Sequence, residues 1–348
     1  MGRDDRATMN LTRAGFLGFF PMPGHTRFRL LGNLPPELEG NDGVSPEDIQ
    51  GILDRHGGVE AKITRSRWTS IYRTHHRISE RFRVGRVFLI GDAAHIHSPA
   101  GGQGMNTGIG DAYNIAWKLA MVAKGEAREV LLDSYEAERV PFARAILRGS
   151  DRGFHLQAAS TPATQRLKLL ALPALFWLVS VVPPLRRRAF LFLSQLWTTY
   201  RKSPAEGEAA RRGPRAGDHA PYGLLEAGAR SGESIFGGPD HRLLVFEGLH
   251  PNNVLPAAME EFEGLLERYE TSVGIVPVSA GNGSLHELYG AKSPTLFLVR
   301  PDGHIAYRGG ALDVVGLKVY LDRLFVRRST GVSAARGSGG RAAASSTA

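Results

Sequence analysis

Residues 86–107 read Arg86-Val-Phe-Leu-Ile-Gly91-Asp92-Ala-Ala-His95-Ile-His97-Ser-Pro99-Ala-Gly101-Gly102-Gln-Gly104-Met105-Asn106-Thr107, and the rest of the chain is read outward from them. Arg86–Ile90 is a short apolar strand, so Gly91-Asp92 places a carboxylate at its C-terminal end, where α/β sheets bind ligands. The glycines that follow let a planar or anionic group approach the backbone closely. A helix then runs from about Gly104 to Lys124, with Ile109, Ala112, Tyr113, Ala116, Leu119 and Ala120 recurring at helical spacing. Its start offers free N–H groups and a partial positive charge. Two other readings stand beside this one. His95-x-His97 has metal-ligand spacing with Asp92 nearby, but no further ligands stand out. The glycine-rich loop could also be structural, with no ligand at all.

Composition narrows the classes. The 348 residues carry 43 Lys+Arg against 34 Asp+Glu, a net +9, with no cysteine. That length suffices for two domains with real cores. Without cysteine there are no disulfides, Cys-ligated metals or thiol chemistry. The charge is uneven: seven arginines face only Glu80 across residues 64–86, and residues 184–215 net +6. No aromatics interleave these basic runs in a nucleic-acid motif, so a solvated linker and an exposed strand face are expected. Leu169–Val182 is uncharged but short and broken by proline, which predicts a packed helix rather than a membrane span. The polar start, Arg3 to Arg6, shows no secretory signal, and the expected location is cytoplasmic.

Along the chain, Phe16–Phe20 and Arg27–Leu31 flank a Pro-Gly pair and read as a hairpin. Ser45-Pro46 starts a helix to about Arg55, and Val59–Arg73 alternates like a strand. A second long helix spans about Val130–Arg148, and Thr161–Tyr200 is helical with breaks at Pro173 and Pro183-Pro184. After a basic linker come strands at Leu243–Glu247, Val273–Val278, Thr295–Arg300 and Ile305–Arg308. Helices are expected at about Leu255–Tyr269 and Val314–Arg323. Residues 331–348, rich in Ser, Ala and Gly, read as a disordered tail.

The Arg86–Thr107 stretch closely resembles the second flavin motif of the para-hydroxybenzoate hydroxylase-like, FAD-dependent aromatic monooxygenases. Gly91-Asp92-Ala-Ala-His95, then Pro99, then Gly104-Met105-Asn106 and a helix keep that family's order. The resemblance implies that Asp92 binds the ribityl chain of FAD and that Pro99 packs against the isoalloxazine ring. It implies that Gly91 and Gly102 shape the approach, and that Gly104, Met105 and Asn106 face the flavin pyrimidine. Phe19-Phe20-Pro21-Met22-Pro23 with Arg27-Phe28-Arg29 looks like a hairpin of the family's substrate domain. Ser134-Tyr135-Glu136-Ala137-Glu138-Arg139 looks like the helix after the flavin helix. The family's Gly-x-Gly-x-x-Gly and Asp-Gly motifs are not found. Gly2-Arg3-Asp4-Asp5 does not replace them, so an enzyme truncated at its N-terminus is expected.

Residues 243–309 resemble a thioredoxin fold, with Ser293-Pro294 where that fold carries a cis proline and Pro301-Asp302-Gly303 as a hairpin turn. Leu249-His250-Pro251-Asn252-Asn253 stands where active thioredoxins have a Cys pair, which excludes redox work. Phenol hydroxylase-type members of the family end in such a cysteine-free domain. The expected architecture is α/β. Residues 1–85 form a partial substrate-domain sheet, and 86–202 the C-terminal part of the FAD-binding domain with following helices. Residues 203–216 form a linker, 217–328 a thioredoxin-like domain and 329–348 a tail. The implied function is hydroxylation of a small aromatic substrate with FAD, NAD(P)H and O2. No catalytic base or metal ligand is identified, no nucleic acid is implied, and a homodimer is allowed. The alternative is a non-catalytic remnant or interaction module.

Overall fold

The computed structural model describes residues 6–12, 15–24, 27–41, 43–56, 61–73, 75–97, 102–158, 162–200, 206–207, 212–225, 234–235, 239–250 and 253–329. The first sheet is an antiparallel meander of β1 (Thr8–Thr12), β2 (Gly15–Pro21) and β3 (Phe28–Gly32). The Pro-Gly hairpin is present, with Phe19 opposite Leu30, and β1 adds a strand that the polar N-terminal residues do not announce. Leu17 and Phe19 pack on Leu53 of α1 (Pro46–His56). That helix starts as its sequence predicts. Asp48 N donates to Ser45 Oγ at 3.1 Å, and Ser45 N donates back to Asp48 Oδ2 at 2.9 Å.

No strand forms across the described part of Val59–Arg73. Its alternation lacks a partner: the Gln50 side chain takes the backbone instead, donating to Ala61 O at 3.0 Å and accepting from Ile63 N at 2.8 Å. Four short strands follow: β4 (Arg77–Ile78), β5 (Arg83–Val84), β6 (Val87–Phe88) and β7 (His95–Ile96). Regular pairing in Arg86–Ile90 is therefore confined to Val87–Phe88, hairpinned on β5, while β4 pairs with β7.

Helices α2 (Gly104–Ala123) and α3 (Val130–Ala158) pack together, and α3 runs past its expected end. In α4 (Pro162–Val181) the helix continues through Pro173, because an internal proline removes one backbone bond without having to end the helix. α5 (Pro183–Leu193) begins on the proline pair, as expected. Where the side chains of α4 are described, large apolar ones stand in solvent: Phe176 is 71% and Trp177 65% exposed. Among the described residues, no helix is long and apolar enough to cross a membrane.

The second half folds around a five-stranded sheet. Its strands are β8 (Glu206–Gly207), β9 (His241–Phe246), β10 (Val273–Val278), β11 (Thr295–Val299) and β12 (Ile305–Gly310), in the order β10-β9-β11-β12-β8. β8 lies in the stretch expected to be linker and pairs parallel to β12. β10 is parallel to β9, and β11 is antiparallel to both β9 and β12. Helices α6 (Val254–Leu266), α7 (Gly283–Tyr289) and α8 (Val314–Leu324) complete the unit. The short α7 carries no periodic signal long enough to read. The Ser293–Pro294 peptide is trans, which corrects the expected cis bond and withdraws that point of the alignment. Residues 331–348 lie outside the described residues.

Period-two alternation gives this sheet two apolar faces. Leu244, Phe246 and Phe297 face Leu285 and Tyr289 of α7, while Leu243, Val245 and Leu298 face α6 and α8. Trp117 and Met121 of α2 enter that second cluster, so one core joins the first half to the second. Each fully buried large side chain there is worth about 1.5–3 kcal/mol.

His241 sits inside this shared core, edge-on to Trp117 and Phe325 at 5.2 Å each. Burial first, and the charge of Arg300 second, push its imidazole down to about 3. The unfolded chain takes up a proton near pH ~6.5 that the fold refuses, so stability declines as pH falls from there towards about 3. Between pH 6.5 and 5 the loss from this one group is about 1.5–2 kcal/mol. His241→Phe should remove it. Urea unfolding of both proteins across that range is the check, and parallel pH curves would exclude His241 as the source.

Candidate functional site

The segment around Gly91 is held from behind by α3. Tyr135 OH donates to Leu89 O at 2.7 Å, and Glu136 Oε2 accepts the N–H groups of Phe82 (2.7 Å) and Arg83 (3.0 Å). Gly91, at φ +56°, then turns the chain through a short 3-10 turn, Gly91–Ala93. The turn lies against α2: a Cβ built on Gly108 would stand 3.4 Å from the Gly91 Cα. Asp92 is exposed there, and its carboxylate meets no hydrogen-bond donor among the described residues.

The start of α2 is open in the same way. Gln103, before the helix, caps nothing with its side chain, and the first turn has no acidic residue. The first intrahelical donor is Thr107 N to Gln103 O, leaving the N–H groups of Gly104, Met105 and Asn106 pointing out of the helix end. Met105 is 76% exposed. Gly102 has φ +65° with nothing within 4 Å of a built Cβ, so the backbone is bare on that side. Pro99 lies outside the described residues.

Beneath this open surface lies a buried ionic layer. Asp111 Oδ2 accepts from Gly91 N at 3.0 Å and contacts His95 Nε2 at 2.7 Å. Asp111 Oδ1 takes Arg139 Nε at 2.6 Å, and Arg139 Nη2 reaches Thr107 O at 3.1 Å. Burial raises the Asp111 carboxyl, but the His95 bond and the Arg139 charge outweigh it and hold it below its ordinary value. One helical turn on, Lys118 Nζ and Asn114 Nδ2 bind Glu138 Oε2 at 2.8 and 2.7 Å, and Arg300 Nη1 binds Glu138 Oε1 at 2.6 Å. Burial brings the Lys118 ammonium down to about 8 against the pull of Glu138. For Glu138, burial pushes up, yet Arg300 and then Lys118 keep it well below the carboxylate range. Two cations face the carboxylate, while Arg300 repels Lys118.

Gly91 and Asp92 thus lie in a turn against α2, and Gly102, Gly104, Met105 and Asn106 lie at the start of that helix. Asp111 escapes a reading by motif, and His95 and Arg139 stand within quoted motifs that assign them no part in an ionic layer. Of the residues that recur at helical spacing, Ile109, Tyr113 and Leu119 are 59%, 57% and 39% exposed. The buried face carries Thr107, Asp111, Asn114 and Lys118 instead. Their own helical spacing is the available signal: polar residues at that period mark a face meeting charged partners. His95 Nε2 is committed to Asp111, and among the described residues no three His, Asp or Glu side chains gather as a metal site. A cavity of about 370 Å³ lies elsewhere, between Tyr113, Arg242 and the β11–β12 turn, and shares no lining with residues 91–107.

Residues 7–150 match the FAD binding domain family. A flavin-dependent monooxygenase of Mycobacteroides abscessus is 34% identical over 289 residues, covering 82% of this chain and 50% of the relative. The chain spans no more than about half the length of the curated relatives it matches. Among solved structures, the anhydrotetracycline hydroxylase OxyS from Streptomyces rimosus superposes with TM-score 0.62 at 27% identity, over 93% of this chain and 59% of that one. The rebeccamycin biosynthetic enzyme RebC with reduced flavin gives TM-score 0.62 at 27% identity, over 88% and 56%.

Proposed function

We propose that this chain, whose residues 7–150 match the FAD binding domain family and which is similar to flavin-dependent monooxygenases, serves the hydroxylation of a small aromatic substrate with FAD, NAD(P)H and O2. One observation carries the reading. The exposed Asp92 carboxylate, in a turn that lies against α2, is combined with an uncapped α2 start preceded by bare glycine backbone at Gly102. That donor and acceptor set fits a flavin, which needs an acceptor for polyol hydroxyls and donors for an electron-rich ring edge. FAD, when bound, supplies hydride acceptance and oxygen activation.

The chain's own residues then have definite tasks. Asp92 accepts from the ribityl hydroxyls. The amides of Gly104, Met105 and Asn106 donate to the pyrimidine edge, where the positive end of α2 favours the anionic reduced ring. Gly91 and Gly102 supply the left-handed backbone that keeps side chains out of the approach. Pro99 is assigned to the face of the ring on the resemblance of its motif. Asp92→Ala should weaken FAD binding by about ten- to a hundredfold, the equivalent of about 1.5–3 kcal/mol for a charge-assisted acceptor. Titration of FAD fluorescence measures it, and equal dissociation constants would remove Asp92 from the site.

We also read residues 217–328 as a thioredoxin-like unit. The support is its sheet order, β10-β9-β11-β12, with a parallel β9–β10 pair joined through α6 and antiparallel β11 and β12. With no cysteine in the chain, its role is structural rather than redox. An experimental structure with β10 paired elsewhere than on β9 would end this reading.

A further inference from the structure

We infer that the turn Arg300–His304, between β11 and β12, is a positioning element for the flavin-facing backbone, acting on Gly91 through Tyr200, Arg139 and Asp111. The inference rests on the flavin reading above for its purpose, but the linkage itself is visible without it. Arg300 stands over the Tyr200 ring at 5.3 Å, and His304 stacks on the same ring at 4.2 Å. The Tyr200 hydroxyl accepts from Arg139 Nη1 at 3.0 Å. Arg139 in turn holds Asp111, which holds Gly91 N, and its third nitrogen grips Thr107 O in the first turn of α2. The far end of this chain of contacts is thus backbone next to Asp92 and to Asn106.

Two features separate this from ordinary packing. First, every member is nearly dry: Asp111 is 0%, Arg139 2%, Tyr200 5% and Arg300 8% exposed. Buried ion pairs add little net stability over apolar packing of the same volume, and their best-attested gain is a single defined geometry. Second, the turn itself cannot shift freely. Asp302, read from sequence as a simple hairpin residue, receives Arg300 Nε at 2.9 Å, Trp117 Nε1 at 3.2 Å and Asn114 Nδ2 at 3.3 Å, so the turn is tied to α2 as well. The β11–β12 turn and Arg139 of α3 hold Tyr200 from two sides. A side chain held in this way transmits position to whatever it bonds.

The test uses Tyr200→Phe, which keeps the ring against His304 and removes only the hydroxyl, and Arg300→Met, which keeps bulk and removes the charge. Hydrogen exchange is followed on the full chain without added flavin. Peptides spanning 89–111 should exchange about tenfold faster in both variants, while peptides of α6 and β10 stay unchanged. In flavin-loaded protein, FAD should bind more weakly and its visible absorption bands should shift. Unchanged exchange across 89–111 in both variants overturns the inference, as does an equal increase throughout the molecule, which would mark general loosening. Selective loosening of 89–111 in a chain that binds no FAD supports the positioning role and overturns the flavin reading instead.

Discussion

Glu138→Leu is expected to destabilise the protein by about 3–5 kcal/mol, the cost of leaving buried charges without their partner. Glu138 is 3% exposed and accepts from Lys118, Asn114 and both terminal nitrogens of Arg300, so its loss strands Lys118 and takes one of two carboxylates from Arg300. Asp302 remains beside Arg300, but Lys118 keeps only the Asn114 carbonyl at 2.8 Å. Since folded domains are stable by about 5–15 kcal/mol in total, this one substitution should bring the unfolding midpoint in urea down sharply. The pH dependence has a definite sign. A carboxyl held low in the fold stabilises above its unfolded value near ~4.5, and that contribution is lost as pH falls. The gap between wild type and variant should therefore narrow in acid. A gap that stays constant down to pH ~3 would mean that Glu138 is not ionised in the fold.

Asp111→Leu is expected to cost a similar amount, about 3–5 kcal/mol, and to disorder the Gly91 turn along with it. The substitution leaves Arg139 facing apolar surface and takes the acceptor from Gly91 N and from His95. Removing Arg139 as well tests the cause. In the double variant Asp111→Leu/Arg139→Met no unpaired guanidinium remains, so the second substitution should recover part of the loss instead of adding to it. Chemical unfolding of the four proteins gives the coupling energy, and simple additivity would show that the pair does not act as a unit. Asp111→Asn supplies the milder comparison. It keeps an acceptor for Gly91 N, and should hold the fold while weakening the grip on Arg139.

Much of the candidate site was legible because its signals are local. A strand end, a glycine loop and a helix start lie within residues 86–107, and each depends on neighbours a few positions away. The hairpin at β2–β3, the Ser45 cap, and β9 to β12 belong to the same class. Where reading failed, the missing information was the partner. Val59–Arg73 alternates like a strand, but a strand needs another strand, and here Gln50 takes the backbone. The apolar period read in α2 falls on a largely exposed face, and hydrophobic periodicity has no means to register an ionic core.

The sequence alone determined the family resemblance, the lack of cysteine, the main helices, strands β9 to β12, and Asp92 with the Gly104–Asn106 turn as the surface to watch. Only the tertiary structure decided what lies beneath them. Glu138 and Arg300 are 162 positions apart, and Asn114 and Asp302 are 188 apart. Nothing in the neighbourhood of Glu138, Arg300 or Asp302 marks it as other than a solvated charge or a turn residue. Burial makes the difference: once α2, α3 and the β11–β12 turn close on one another, water is gone, and each charge must find its counterpart across the core.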